Sequence, residues 1–120
     1  MQRVVSKEKI ISRAIARYLR ISPFKVRRMV RAVKSKSVAD ALAMLKLLRH
    51  HTSARVLYKV IASAAANTPA GSSAQQLLVK HILVDQALII KRSQPHSRGR
   101  AFPIKKRLSH VAVFLTEPRS

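Results

Sequence analysis

The sequence predicts an α+β fold, and three features of its patterning carry the prediction. Residues 22–67 hold three apolar stripes at the helical period. Leu77–Ile90, rich in Leu, Val and Ile, and Ile104–Thr116 read as two strands, and two Pro and one Gly break any helix in the polar segment between them. A short alternating run stands ahead of the helices at 14–20. A length of 120 residues suits one domain. It is read as residues 13–120, behind a polar N-terminal leader of residues 1–12.

In AIARYLR, Ile15, Arg17 and Leu19 alternate with Ala16, Tyr18 and Arg20, which predicts a strand from Ala14 to Arg20. Ser22-Pro23 then marks a helix start. A Ser hydroxyl accepts from the unpaired amides of the first turn, and Pro at the first position has no amide to satisfy. Val26, Met29, Val30 and Val33 form the apolar stripe of this helix, and Phe24 is assigned to the core. Lys25, Arg27, Arg28, Arg31 and Lys34 cover the outer surface. Ser37 starts a second helix, with Asp40 in the capping-box position and Val38, Ala41, Leu42, Leu45 and Leu48 facing inward. A third begins near Thr52 or Ser53, with Val56, Leu57, Val60, Ile61, Ala64 and Ala65 at helical spacing. Small residues at Ala62–Ala66 permit close approach of another element. Asn67-Thr68-Pro69 ends the helix, and Ala70–Ala74 with Gly71 reads as a loop.

Leu77–Ile90 and Ile104–Thr116 read as long strands around KRSQPHSRGRAFP, where two Pro and one Gly break any helix. The predicted hairpin covers about residues 78–115, with its tip at about 91–103. A strand of this length reaches about 40 Å at ~3.3 Å per residue, further than a core of this size is wide, so the tip is expected to project. Phe114 is assigned to the core, whereas Phe102 beside the tip suits either strand packing or stacking on a base.

Charge bounds the function. The chain carries 25 Lys and Arg against 4 Asp and Glu, a formal net charge of +21. Glu8, Asp40, Asp85 and Glu117 are its only acids. Such an imbalance repels itself unless a polyanion neutralises it, and each phosphate so neutralised releases a condensed counterion. With 48% hydrophobic residues and only two Gly, the chain is too apolar for a disordered basic tail. No apolar run approaches the ~20 residues of a membrane span. MQRVVSKEKI lacks the apolar segment of a secretory signal. With no Cys, disulfides and thiolate metal sites are excluded.

Catalytic, cofactor and metal readings find little support, and none is expected. There is no GxSxG elbow, no phosphate-binding Gly loop and no close pair of carboxylates. His50-His51 is read as a polar helix end rather than a metal site, because neighbouring side chains on a helix diverge. His81 and His110, inside apolar strands, are read as hydrogen-bonded structural residues. The first helix, by contrast, carries none of the acids that an ordinary solvated face would alternate with its cations. That face is assigned to phosphate contact. The candidate contacts are Arg17, Arg20, Lys25, Arg27, Arg28, Arg31, Lys34 and Lys36, with Lys91, Arg92, Arg98, Arg100, Lys105, Lys106 and Arg107 on the hairpin. The Arg-rich tip favours bidentate phosphate contacts and stacking on bases.

Several segments in order carry a resemblance. IARYLRISPFKVRRMV at 15–30, ADAL at 39–42, SAAAN at 63–67, VKHILVDQ at 79–86 and KRSQPHSRGRAFPIKKRLSHVAVFL at 91–115 resemble the universal large-subunit ribosomal protein family L twenty-two, from about Ala14 to Thr116. SPFKVRR and GRAFPIKK are similar to its cyanobacterial and plastid branch, which implies a plastid ribosome, with the bacterial cytoplasm as the alternative. The resemblance implies three helices packed on a three-stranded antiparallel sheet, with a long protruding basic hairpin. It implies that the cations named above bind large-subunit rRNA and bridge its domains during assembly. It further implies that the tip, Lys91, Arg92, Ser93, Gln94, Pro95, His96, Ser97, Arg98, Gly99 and Arg100, lines the nascent-peptide tunnel beside neighbouring ribosomal proteins. In the family this is also where changes perturb macrolide action. The implied partners are rRNA, those proteins and the nascent peptide, with no membrane and no small-molecule substrate. Four positions depart from the family pattern the resemblance implies: Ser35 where Gly is usual, Arg31 where an acid is common, and His96-Ser97 where Arg-Ala is frequent.

Charge alone leaves other readings open. A DNA-architectural protein with basic β-arms and Pro95 as a minor-groove wedge has the same composition, although such proteins dimerise and no symmetric interface is legible. A basic hydrolase is the remoter alternative. The resemblance, not the charge, selects RNA.

Overall fold

The computed structural model describes residues 10–70, 73–95 and 101–117, with side chains described outside 88–106. The chain runs β1 (Ile10–Leu19), α1 (Pro23–Val33), α2 (Val38–Leu47), α3 (Thr52–Ala66), a 3-10 turn at Ala74–Gln76, β2 (Leu78–Pro95) and β3 (Ala101–Thr116). These elements form an α+β fold of three helices and one antiparallel sheet in the order β1-β3-β2. Within the expected tip, His96, Ser97, Arg98, Gly99 and Arg100 lie outside the described residues, as does Gly71. So do the side chains of Lys91, Arg92, Ser93, Gln94, Pro95, Phe102, Lys105 and Lys106.

β3 is central because it is apolar on both faces: Val111, Ala112, Val113, Phe114, Leu115 and Thr116 are all buried. Val111, Val113 and Leu115 face the helices, in register with Ala16, Ala14 and Ser12 of β1 and with Val84, Ile82 and Val79 of β2. Onto them pack Val26 and Val33 of α1, Val38, Ala41 and Leu45 of α2, and Leu57, Ile61 and Ala64 of α3. Full burial of each large side chain contributes roughly 1.5–3 kcal/mol.

The helix starts follow their sequence signals, with one correction. Pro23 occupies the first position of α1, but the Ser22 side chain makes no capping bond. Ser37 does cap α2, its hydroxyl accepting from the Asp40 amide at 3.3 Å. At the far end of α3, the Asn67 side-chain amide donates to the Arg13 carbonyl at 3.1 Å, tying the helix to β1.

β1 begins at Ile10, inside the stretch read as leader, and its alternation changes phase. The register slips between Ala16 and Leu19, where Tyr18 takes φ 56°. Ala14 and Ala16 pack against the core in regular alternation, which leaves Ile15 42% exposed, and the bulge brings Leu19 to the same core-facing side. β2 and β3 also extend beyond their expected limits, so that Lys91–Pro95 pair with Ala101–Lys105.

The outer edge of β2 is covered by the α1–α2 connection. The Ser35 amide donates to the Val79 carbonyl at 2.8 Å, and the Val79 amide donates to Lys36 at 2.9 Å. Val38 donates to the Leu77 carbonyl at 2.8 Å. These bonds satisfy backbone groups that an edge strand otherwise leaves open.

Candidate nucleic-acid interface

The helical period sorts α1 into two faces. Val26 and Val33 are fully buried, and Met29 and Val30 are partly buried against the core. Lys25, Arg27, Arg28 and Arg31 are exposed on the opposite side, and no acid occurs in the helix. Lys34 is exposed just beyond the last turn, and Lys36 is half-buried in the connection. Arg17 and Arg20, also exposed, flank the segment that leads from β1 into α1. The phosphate-contact residues expected in the body therefore lie on β1, along α1 and on the segments that flank it at both ends, with Arg107 of β3 also exposed.

Phe24 corrects the sequence reading. It is not a core residue: it is 54% exposed and stands within the cationic face of α1. The Arg27 guanidinium carbon lies 5.7 Å from its ring centroid and that of Arg107 lies 5.4 Å away. Both separations are within reach of a cation–π interaction. Arg27 is further held by a 2.8 Å bond from Nη2 to the Val84 carbonyl of β2. Ser109, wholly buried on β3, donates from its hydroxyl to the Ile21 carbonyl at 3.0 Å. That bond fixes the approach to α1 against the strand that carries Arg107.

The histidines divide. His110 accepts at Nδ1 from the Tyr18 amide at 3.1 Å, and the Tyr18 ring meets it edge-on at 4.7 Å, a structural role as expected. His50 and His51 lie in the α2–α3 connection, exposed, with ring centroids 4.1 Å apart. Their rings approach each other because the backbone there is a turn and not a helix. Phe114 is buried, as expected.

Sequence reasoning passed over a second group of cations. Lys46, Arg49, Arg55 and Lys59 are exposed on α2, α3 and the turn between them. Arg55 bonds the Arg49 carbonyl at 3.4 Å and the Thr52 hydroxyl at 3.2 Å. The signal was present: no acid occurs between Asp40 and Asp85.

An α+β body with a cationic helix face on the outside and no acid in that helix defines a basic scaffold, a class whose exposed charge is suited to a polyanion. Residues 14–116 match the model of the family described as ribosomal protein L22p/L17e, and the chain belongs to that family. It is 42% identical over 110 residues to the large ribosomal subunit protein uL22 of Desulfitobacterium hafniense strain Y51, covering 90% of this chain and 96% of the relative. It is 37% identical over 103 residues to the protein of the same name from Synechococcus sp. strain JA-2-3B'a(2-13), covering 84% of this chain and 82% of the relative.

Proposed function

We propose that this protein is a structural constituent of the large ribosomal subunit, binding large-subunit rRNA and bridging rRNA domains during assembly. The observation that carries the reading is the acid-free face of α1, Lys25, Arg27, Arg28 and Arg31, in a chain of this family. Phosphates on that face supply the counter-charge the protein lacks. The hairpin of β2 and β3 extends from the body, and its tip, Lys91–Arg100, lines the nascent-peptide tunnel. There it meets neighbouring large-subunit proteins and the nascent peptide. The role is one of scaffolding, without a catalytic step. The relatives named above are bacterial, one of them cyanobacterial. The plastid reading rests on SPFKVRR and GRAFPIKK.

Ultraviolet crosslinking of the tagged protein in its own cells, followed by sequencing of the attached nucleic acid, tests this reading. Crosslinks are expected to concentrate on large-subunit rRNA, with the Lys91–Arg100 tip on a segment of the tunnel wall. Crosslinks spread over DNA or unrelated RNAs would replace it with the DNA-architectural reading.

A further inference from the structure

Phe24 places an aromatic ring where packing gives no reason for one. On α1 it falls between the cations, and more than half of its surface is open to solvent. The segment holding it is anchored from several directions. Ser109 bonds the Ile21 carbonyl, and Arg27 is tied to Val84 while its guanidinium stays near the ring. Arg107 reaches the same ring from β3. Two guanidinium groups drawn to one exposed phenyl repel each other, and a water-facing ring gains little from burial. Both features gain a purpose if a nucleotide completes the site.

We propose that Phe24, flanked by Arg27 and Arg107, is a stacking platform for one unpaired RNA base, with the guanidinium groups taking the adjoining phosphates. The proposal deepens the rRNA-binding reading above and rests on it. An aromatic ring offers its π-face to any base that is not already stacked on both sides. Bases within an A-form duplex are stacked, so the ring selects loops, bulges and ends. Arg suits the flanking positions because its planar fork pairs with phosphate and also stacks. Of the five N–H donors of Arg27, one is committed to Val84 and the others can take phosphate oxygens. A protein partner fits less well, since the surroundings of the ring are cationic, whereas the core of a protein interface is depleted of charge.

The chain contains no Trp, so Phe24→Trp introduces a single indole at the platform, excited selectively over Tyr18 and Tyr58. The full-length variant is titrated with deproteinised large-subunit rRNA and, separately, with a fully paired RNA duplex. Emission should be quenched by the rRNA and not by the duplex. Phe24→Leu, which keeps the bulk but not the π-face, should weaken rRNA binding roughly 5- to 100-fold while leaving the salt dependence unchanged. Phe24→Trp should retain wild-type affinity. Wild-type affinity in Phe24→Leu, or unaltered emission in Phe24→Trp, overturns the platform. The wider rRNA reading still stands in that case if Arg28→Ala with Arg31→Ala weakens binding, and falls if that pair also has no effect. Should Phe24→Leu leave RNA affinity intact but reduce incorporation into large subunits, the ring belongs to a protein contact and the proposal is overturned.

Discussion

Ser35 takes φ 67° in the connection that follows α1. Lys34 before it has φ −62° and ψ 137°, and the Lys36 amide donates to the Val33 carbonyl at 3.2 Å. Residues 33–36 thus form a type II turn, whose third residue needs positive φ and favours Gly. Gly suits this position, and Ser carries a Cβ into it. Ser35→Gly should stabilise the fold by about 0.5–1 kcal/mol, the left-handed cost less the entropy Gly adds to the unfolded chain. Ser35→Val should destabilise it by about 1 kcal/mol or more. Thermal unfolding of both variants checks the pair, and a Gly variant no more stable than wild type would mean the turn relaxes to fit Ser. A second residue-scale effect sits at Ser109. Removing its hydroxyl leaves the Ile21 carbonyl without that donor, so Ser109→Ala should cost about 1–3 kcal/mol in denaturant unfolding.

At the scale of elements, the helices were legible and the sheet only in part. Each helix repeats its apolar residues at one period within a short window, and Ser-Pro and Ser37 with Asp40 mark two of the starts. β1 was legible as a strand but not in phase. Its alternation breaks at the Tyr18 bulge, a consequence of pairing with β3 that no local pattern records. The site divides in the same way. The cationic face of α1 belongs to one helix and follows from its periodicity. The approach of Phe24 to Arg107 joins distant parts of the chain, and tertiary contacts such as the Ser109–Ile21 and Arg27–Val84 bonds accompany it. The packing makes a paired prediction. Leu57→Ala in α3 removes a fully buried side chain and should cost about 2–5 kcal/mol. Leu47→Ala in α2 removes one that is 78% exposed and should change stability by no more than about 0.5 kcal/mol. The face of α1 makes another. Arg28→Ala with Arg31→Ala should leave thermal stability near wild type, because both residues are exposed. The same pair should lower the slope of log affinity against log salt by about 1 per cation removed.

Across the whole molecule, the net charge of +21 couples folding to the surroundings. Nothing within the chain can neutralise it, since four acids face twenty-five Lys and Arg. The free protein therefore folds against its own repulsion, and added salt screens that repulsion over a Debye length that falls to about 10 Å at 0.1 M. Raising a simple salt such as NaCl from 20 to 200 mM should accordingly raise the thermal midpoint of the free protein. The same change should weaken RNA binding. If 6–10 phosphates are engaged, affinity should fall roughly 10³–10⁵-fold between 50 and 200 mM. The two responses have opposite signs because salt replaces, non-specifically, the counter-charge that phosphates supply in the complex. Circular dichroism melts and filter-binding titrations over one salt series measure both. A midpoint that falls with salt would mean that attractive ion pairs outweigh repulsion in the free fold. A flat affinity would mean that the cationic faces do not engage phosphate.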